Sequence, residues 1–386
     1  MGCAASKAPP KRDPVEELIE EVHAQQGRES GGGVTLDLSA ARATPDAPAG
    51  KLAELGLSLN GKVPDAAWAC VGVTTLSLKG NHLGSLSPKL AQLSALRVLD
   101  VSENGLTALP EGVAALEALE VLDVSENQLE AFPEGLAQLT KLRVVKAWVN
   151  QLKALPDGFG AGAALEDLNV YNNRLTKLPA SLADASNLRL VNCGGNKLKT
   201  LPPLEKWSKV EELRLHSNSL VSQFLPPFAG LVSLKLLKIE RNLPLAELPE
   251  FGTHPALTAI ECNNCSLERL PPSKALRASL PALEYLTVHQ NRIAELPALD
   301  LPEFTTLNAG GNPLKALPDL SRCPKLRVLI VDDCGLVSVH RSFTPANHPK
   351  LERLVVSGNP GLDAKSRAKV DAFAETTTKN GGWVRG

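Results

Sequence analysis

An asparagine returns about every 23 residues inside one fixed frame, L-x-x-L-x-L-x-x-N-x-L, and no other property limits the possible fold so much. The column runs Asn81, Asn104, Asn127, Asn150, Asn173, Asn196, Asn218, Asn242, Cys265, Asn291, Asn312, Cys334 and Asn359. A period of this length belongs to architectures in which one repeat cannot bury its apolar face alone and does so by stacking on its neighbours. Such a molecule offers a long surface and no naturally enclosed pocket.

The frame has two halves. In LRVLDVSEN, Leu96, Leu99 and Val101 point one way while Asp100 and Ser102 point the other, the alternation of a strand with one buried face. The chain must then turn, and an Asn at the turn can bond backbone groups of its own and neighbouring turns, forming a ladder. Cys265 and Cys334 are compact substitutes in that ladder. Next comes L-x-x-L-P, followed by apolar residues such as Val113 and Leu116 at the spacing of a short helix or 3₁₀ turn. Pro110, Pro156, Pro179 and Pro249 argue against a continuing strand there.

These motifs resemble the leucine-rich repeat proteins, and the 23-residue L-P form is most similar to their intracellular Ras-group class. The resemblance covers roughly residues 52–362. It implies an α/β solenoid, a horseshoe with a parallel concave β-sheet and short helical or 3₁₀ convex segments. It also implies a signalling partner, such as a Ras-like small GTPase, a kinase or a phosphatase.

The expected organisation is a tether over 1–33, a solenoid over 34–362 and a closing helix with a tail over 363–386. The solenoid starts with a cap strand at VTLDLS and a degenerate repeat near 52–72, with Asn60 in the ladder position, before thirteen repeats from residue 73. An open solenoid end would leave its core wet, so both ends need covering. In the tether, VEELIEEVHAQQ presents Val15, Leu18, Ile19 and Val22 on one helical face, suited to packing on the first repeat, and Gly31 to Gly33 form a flexible joint. At the far end, Asp363 is placed to N-cap a helix whose Val370 and Phe373 cover the last repeat. The tail TTTKNGGWVRG is expected to be mobile, with no role for Trp383.

The first residues, MGCAASKAPPKR, fit an acylation signal: Gly2 with Ser6 matches N-myristoylation, and Cys3 is placed for palmitoylation. One myristoyl chain binds membranes only marginally, on the order of 10⁴ M⁻¹, whereas a second chain makes anchoring stable. Lys7, Lys11 and Arg12 would add about 1 kcal/mol each on an anionic leaflet. The expected location is therefore the cytoplasmic face of a membrane, as a peripheral lipid-anchored protein. A net charge of −1 gives no electrostatic footprint for nucleic acid, and no apolar run reaches the length of a membrane span. The seven cysteines are dispersed apart from Cys262 and Cys265, which suits a reducing compartment.

Several apparent chemical motifs dissolve in the frame. Gly56 to Lys62 reads GLSLNGK, but Val63 stands where a P-loop needs Ser or Thr for magnesium, and Leu57 and Asn60 are frame residues. Cys262 and Cys265 form a C-x-x-C, yet both are frame positions and no second pair completes a zinc site. Asn264-Cys265-Ser266 is a glycosylation sequon, without consequence in the cytosol. His216 and His289 share a column three repeats apart, roughly 14 Å at the strand spacing, too far to share a metal. No cofactor, metal or catalytic residue is expected.

Function is expected on the open strand face. Asp100, Ser102, Glu103, Glu120, Asp123 and Glu126 make an acidic patch relieved only by Arg97. The next two repeats present Arg143, Lys146 and Trp148, then Asn169, Tyr171 and Asn172, putting two aromatics on adjacent strands about 5 Å apart. Beyond them stand Arg189, Arg214, His216, Lys235, Lys238 and Arg241, mixed with Glu211, Glu212 and Glu240. Exposed aromatic and arginine side chains are the usual energetic centres of interfaces. Trp148 and Tyr171 are thus candidate anchors, with Asp100, Asp123, Arg143, Lys146, Arg214 and His216 setting orientation and rate. The expectation is a non-enzymatic, membrane-anchored interaction scaffold in signalling. The alternatives are a structural component of a ciliary or cortical assembly and, distantly, a nucleotide-binding enzyme.

Overall fold

A computed structural model describes residues 14–25, 33–40, 59, 61–162, 164–379 and 381–385. Gly2, Cys3 and the basic residues near them, Gly31, Gly32 and Asn60 lie outside the described residues. The chain divides into two compact units, Met1–Gln151 and Leu152–Gly386.

The first unit contains helix α1 (Pro14–Gln25), strand β1 (Val34–Asp37), the short helix α2 (Asp65–Trp68), and strands β2 (Val73–Ser77), β3 (Val98–Asp100), β4 (Val121–Asp123) and β5 (Val144–Lys146). The strands pair in parallel in chain order, with Leu36 opposite Leu76, Leu76 opposite Leu99, Leu99 opposite Leu122, and Leu122 opposite Val145. That register puts one frame leucine above the next, so the apolar faces stack into a single column of core. The expected apolar face of α1 is used: Val15, Ile19 and Val22 are buried, and the helix contacts β1 and α2. Packing on the edge strand closes the first core and blunts an otherwise open sheet edge.

After each ladder turn, 3₁₀ segments at Pro88–Gln92, Glu111–Ala115 and Glu134–Gln138 bury Leu90, Val113 and Leu136. The residue before each segment, Ser87, Pro110 or Pro133, is extended. This is how L-P ends the strand-like path and starts a tight turn. Successive turns press closely together: a Cβ at Gly135 would lie 2.5 Å from that of Ala114.

The second unit continues the pattern with β6 (Asp167–Asn169), β7 (Leu190–Asn192), β8 (Glu212–Arg214), β9 (Leu236–Lys238), β10 (Ala259–Glu261), β11 (Tyr285–Thr287), β12 (Thr306–Asn308), β14 (Val328–Ile330), β16 (Arg353–Val355) and β17 (Trp383–Arg385), neighbours in that order. A small separate sheet pairs β13 (Ala316–Leu317) with β15 (Ser338–Val339). Helix α3 (Ser273–Ser279) replaces a 3₁₀ segment, and α4 (Ala364–Asp371) and α5 (Phe373–Lys379) lie near the end of the chain. Asp363 N-caps α4 by accepting from Ser366 N at 2.7 Å, and Val370 and Phe373 are buried, as the sequence suggests.

The tail departs from expectation. Instead of a mobile end, Trp383–Arg385 forms β17, with Val384 opposite Leu354, and Arg353 lies 4.8 Å from the Trp383 ring. The ordering has a local cause, since Gly381 takes φ 75° and lets the chain reverse after α5 and join the sheet.

The ladder is built as the frame predicts. Asn127 Nδ2 donates to the carbonyls of Val101, Val124 and Ser125 at 3.0, 3.0 and 3.1 Å, and its Oδ1 accepts from Leu106 N at 2.9 Å. One side chain therefore ties its own turn to the preceding repeat while buried. To let Nδ2 reach back, the residue before it goes left-handed: φ is 54° at Glu103, 52° at Glu126, 54° at Val149 and 54° at Asn172. A β-branched residue is badly suited to that region, where a non-glycine residue costs roughly 1–2 kcal/mol. Val149→Asn should raise stability by about 1 kcal/mol, a rise of about 1 °C in Tm by calorimetry. An unchanged or lower Tm would mean that the packing of Val149 outweighs its backbone strain.

Where cysteine stands in, half the ladder is lost. Cys265 Sγ lies 3.4 Å from Ile239 O and 3.6 Å from Asn263 O, and Cys334 Sγ lies 3.3 Å from both Ala309 O and Asp332 O. A thiol is a poor acceptor for the upstream amide that Oδ1 would take. In the preceding repeats those amides turn inward, Leu245 N to Asn242 O at 2.9 Å and Leu314 N to Asn312 O at 2.7 Å. Both turns contain proline, Pro244 and Pro313.

Candidate functional site

The open face of the first unit holds Asp100, Asp123, Arg143, Lys146 and Trp148. Asp100 and Asp123 are committed locally. Asp100 Oδ1 accepts from Ser102 N and Oγ at 2.9 and 2.6 Å, and Asp123 Oδ1 from Ser125 N and Oγ at 3.1 and 2.5 Å. Both serines are buried, so these are Asx turns that shape the strand exit. Burial raises the Asp100 pKa above the ordinary carboxylate value, opposed by the Ser102 bonds.

The acidic patch is less bare than the sequence suggests. Arg97 pairs with Glu120 at 2.6 Å, Lys79 pairs with Glu103 at 2.9 Å, and Lys146 stands 3.8 Å from Asp123. Arg143 is also engaged. Trp148 is half-buried, and its carbonyl accepts from Glu126 N at 2.8 Å.

The open face of the second unit holds Tyr171, Arg214 and His216. Tyr171 and His216, two repeats apart, bring their ring centroids within 5.5 Å. Gly194 occupies the intervening column position, and a Cβ there would lie 2.4 to 2.7 Å from the imidazole ring. The absence of a side chain is what seats His216 against Tyr171. Sequence columns place both residues on one face but not in contact; the signal was the glycine between them.

Arg214 pairs with Glu212 at 2.6 Å and Lys238 with Glu261 at 3.0 Å. Arg214 Nε, His216 Nδ1 and Glu240 Oε2 are buried without a hydrogen-bond partner. Burial lowers the His216 pKa, assisted by Lys238, Arg214 and Arg241, so the ring is neutral at pH 7. Burial raises that of Glu240. Unsatisfied buried polar atoms each cost about 1–3 kcal/mol, and this grouping marks the region of the face least settled by the fold alone.

One charged arrangement was not anticipated. Ser342 Oγ donates to Asp319 at 2.5 Å and lies 2.8 Å from His340 Nδ1. The residue types are those of a hydrolase triad, but the hydroxyl proton is given to the carboxylate and not to the imidazole, so no base activates the serine. The Ser342 bond holds the Asp319 carboxyl well below the usual range, with help from Ser321. Cys262 and Cys265 are free thiols, and burial pushes Cys265 up to about 11 and Cys262 well above its ordinary value, the opposite of a reactive thiolate. Among the described residues no group of His, Cys, Asp and Glu is spaced to hold a metal ion.

Comparison with known proteins agrees with this architecture. A family profile described as a leucine-rich repeat region matches residues 73–308. No curated protein matches the sequence. A leucine-rich-repeat protein of Leptospira interrogans superposes with a TM-score of 0.62 at 20% identity, covering 98% of this chain and 100% of that one. YopM, a leucine-rich effector protein from Yersinia pestis, superposes with a TM-score of 0.63 at 28% identity, covering 92% of this chain and 85% of that one. YopM from Yersinia enterocolitica gives 0.51 at 25% identity, covering 92% and 82%.

Proposed function

Because this chain belongs to the leucine-rich repeat family, we propose that it is a non-enzymatic interaction scaffold that binds protein partners through its open strand face and is held at the cytoplasmic face of a membrane by acyl chains on Gly2 and Cys3. Solenoids of this family commonly mediate protein–protein interaction, and their extended surface suits that task better than chemistry. The observation that carries the proposal is the exposed side of the strands. Trp148 and Tyr171 are partly exposed there, and the seat of Tyr171 against His216 is set by Gly194. Aromatics on such a surface are the residues whose burial contributes most to binding.

The partner class follows from the resemblance to Ras-group repeats: a small GTPase, a kinase or a phosphatase. Acylation has a direct consequence for such a partner, since two proteins confined to one membrane meet at a raised effective concentration. Proximity labelling in the source cell, comparing wild type, Gly2→Ala and Trp148→Ala with Tyr171→Ala, tests both halves. Gly2→Ala should release the protein from membranes and exchange labelled signalling neighbours for bulk cytosolic ones. The double aromatic variant should stay at the membrane and lose its strongest partner by at least tenfold. If location and neighbours survive Gly2→Ala, the anchor is wrong and a structural role in a ciliary or cortical assembly takes its place. If capture survives the aromatic double variant, the anchors lie elsewhere.

A further inference from the structure

The second unit breaks its own frame at one place and builds a groove there. Four residues separate Leu220 from Leu225, whereas two separate Leu106 from Leu109, so Ser222–Phe224 forms an extra 3₁₀ turn ahead of the L-P step. In the next repeat Leu245 N turns inward to Asn242 O, and Leu243 and Pro244 stand exposed. Between the two walls lies a groove of about 560 Å³, within the size range of binding pockets. Val221, Leu225, Pro227, Pro244, Leu248 and Pro249 supply its apolar lining.

The walls are fixed by hydroxyls on three sides. Ser222 Oγ accepts from Ala246 N at 3.0 Å and Glu247 N at 3.1 Å and donates to Glu247 O at 3.2 Å, locking one wall to the other at the base. The Thr200 hydroxyl donates to the Phe224 carbonyl, and the Ser266 hydroxyl to the Leu243 carbonyl, so each rim is braced by an adjacent repeat. Phe224 is 55% exposed and Leu243 69% exposed, more than any other large hydrophobic side chain among the described residues. A fold that buries nearly every frame leucine holds these two in water on braced backbones, each next in the chain to a lining residue, Leu225 and Pro244.

The charge of the groove selects its occupant. Glu247 and Glu250 line it, and no Lys or Arg is among the described lining residues. Arg269 pairs with Glu247 at 2.5 Å, which leaves Glu250, exposed and without an ion pair among the described residues, as the free charge. We propose that this groove is a second docking site, separate from the open strand face, for an extended basic peptide segment of a partner protein. A bulky apolar side chain of the segment seats against the lining residues Leu225, Pro244 and Leu248, with the exposed Phe224 and Leu243 available to extend that contact, and a lysine or arginine of the segment meets Glu250. Prebuilt walls spare the complex the ordering cost that a flexible loop would incur.

The test uses the full chain and two fluorescein-labelled decapeptides, one of alternating leucine and lysine and one of alternating leucine and glutamate. By fluorescence anisotropy the basic peptide should bind at least tenfold more tightly than the acidic one. Phe224→Ser with Leu243→Ser should weaken the basic peptide at least tenfold, and Glu250→Lys severalfold. Trp148→Ala with Tyr171→Ala should leave it unchanged, which keeps the outcome independent of the open-face proposal. Glu250 is exposed, so its variant remains informative if the double serine variant folds poorly. Equal affinity for the two peptides, no binding of either, or unchanged binding in a folded Phe224 and Leu243 variant would overturn the assignment. So would loss of binding on removing Trp148 and Tyr171 alone.

Discussion

Asn127→Leu should destabilise the protein by about 3–5 kcal/mol, measured by chemical denaturation. The substitution keeps the branched shape at Cγ, adds volume at a buried turn and removes four hydrogen bonds, one from Leu106 N and three to the carbonyls of Val101, Val124 and Ser125. A hydrogen bond contributes about 1 kcal/mol net, and a buried backbone group left without a partner costs more than that mean. Because Asn127 joins its own repeat to the one before it, the loss also falls on the interface between repeats. Hydrogen exchange should therefore show the amides of Leu106 and Gln128 opening before the rest of the first unit. Asn127→Cys should cost about half as much, because a thiol keeps part of the donor function, as Cys265 and Cys334 do. It should not be neutral. The repeat upstream of Asn127 has Gly105 where Pro244 and Pro313 help redirect the orphaned amide elsewhere. Equal stability of wild type and Asn127→Cys would show that the acceptor half of the ladder contributes nothing.

The pairing of cysteine with an upstream proline turn marks the limit of what was legible in the sequence. The frame alone predicts the strands, the ladder, the 3₁₀ segments after L-P and the closing helix, because each rests on local periodicity or on a backbone demand met by one residue type. Couplings between repeats were harder to see. Arg97, Glu120, Arg143, Glu166, Arg189, Glu211 and Lys235 alternate in sign along one column of successive repeats, and in the structure Arg97 pairs with Glu120 while Glu211 accepts both Arg189 and Lys235 at 2.6 Å. Read as separate charges, these residues look available to a partner; in the structure Arg97 and Glu120 satisfy each other, as do Arg189, Glu211 and Lys235. Surface pairs of this kind contribute little stability singly. They do remove Arg97 and Glu120 from the charge that a partner would meet.

Other misses have different physical causes. Strand β17 follows a stretch rich in threonine and glycine that carries no alternation, and its pairing depends on where the preceding helix delivers the chain. The contact between Tyr171 and His216 depends on a missing Cβ at Gly194, a property of the residue between them. The groove arises from an insertion of two residues, which a reader following the repeat treats as noise. Departures from the frame, more than the frame, thus locate the surfaces with room for function.

Stability should fall as the pH drops from 7 to 5.5, with a slope approaching 1.4 kcal/mol per pH unit for each of two buried histidines. His254 and His348 are both 0% exposed. His254 Nδ1 lies 2.9 Å from Leu231 O while Nε2 has no partner, and His348 lies beside the Phe343–Phe373 ring pair, with its ring centroid 5.4 Å from Phe343 and 6.5 Å from Phe373. Burial lowers both pKa values, so each ring is neutral in the folded state where the unfolded chain, at about 6.5, would bind a proton. The unfolded state then holds more protons, and stability rises with pH. The contribution is complete above about pH 6.5 and is lost as pH falls toward the folded values. Asp100 and Glu240, whose pKa values are raised, act in the opposite sense, but closer to the carboxylate range. His348→Phe places a third ring beside Phe343 and Phe373 and removes one titrating group. Because His216 is lowered in the same sense, the urea midpoint of this variant, followed across the same pH interval, should fall roughly two-thirds as steeply as that of wild type. An identical slope would mean that His348 is protonated in the folded protein, and that the cluster around Phe343 admits a charge that its burial argues against.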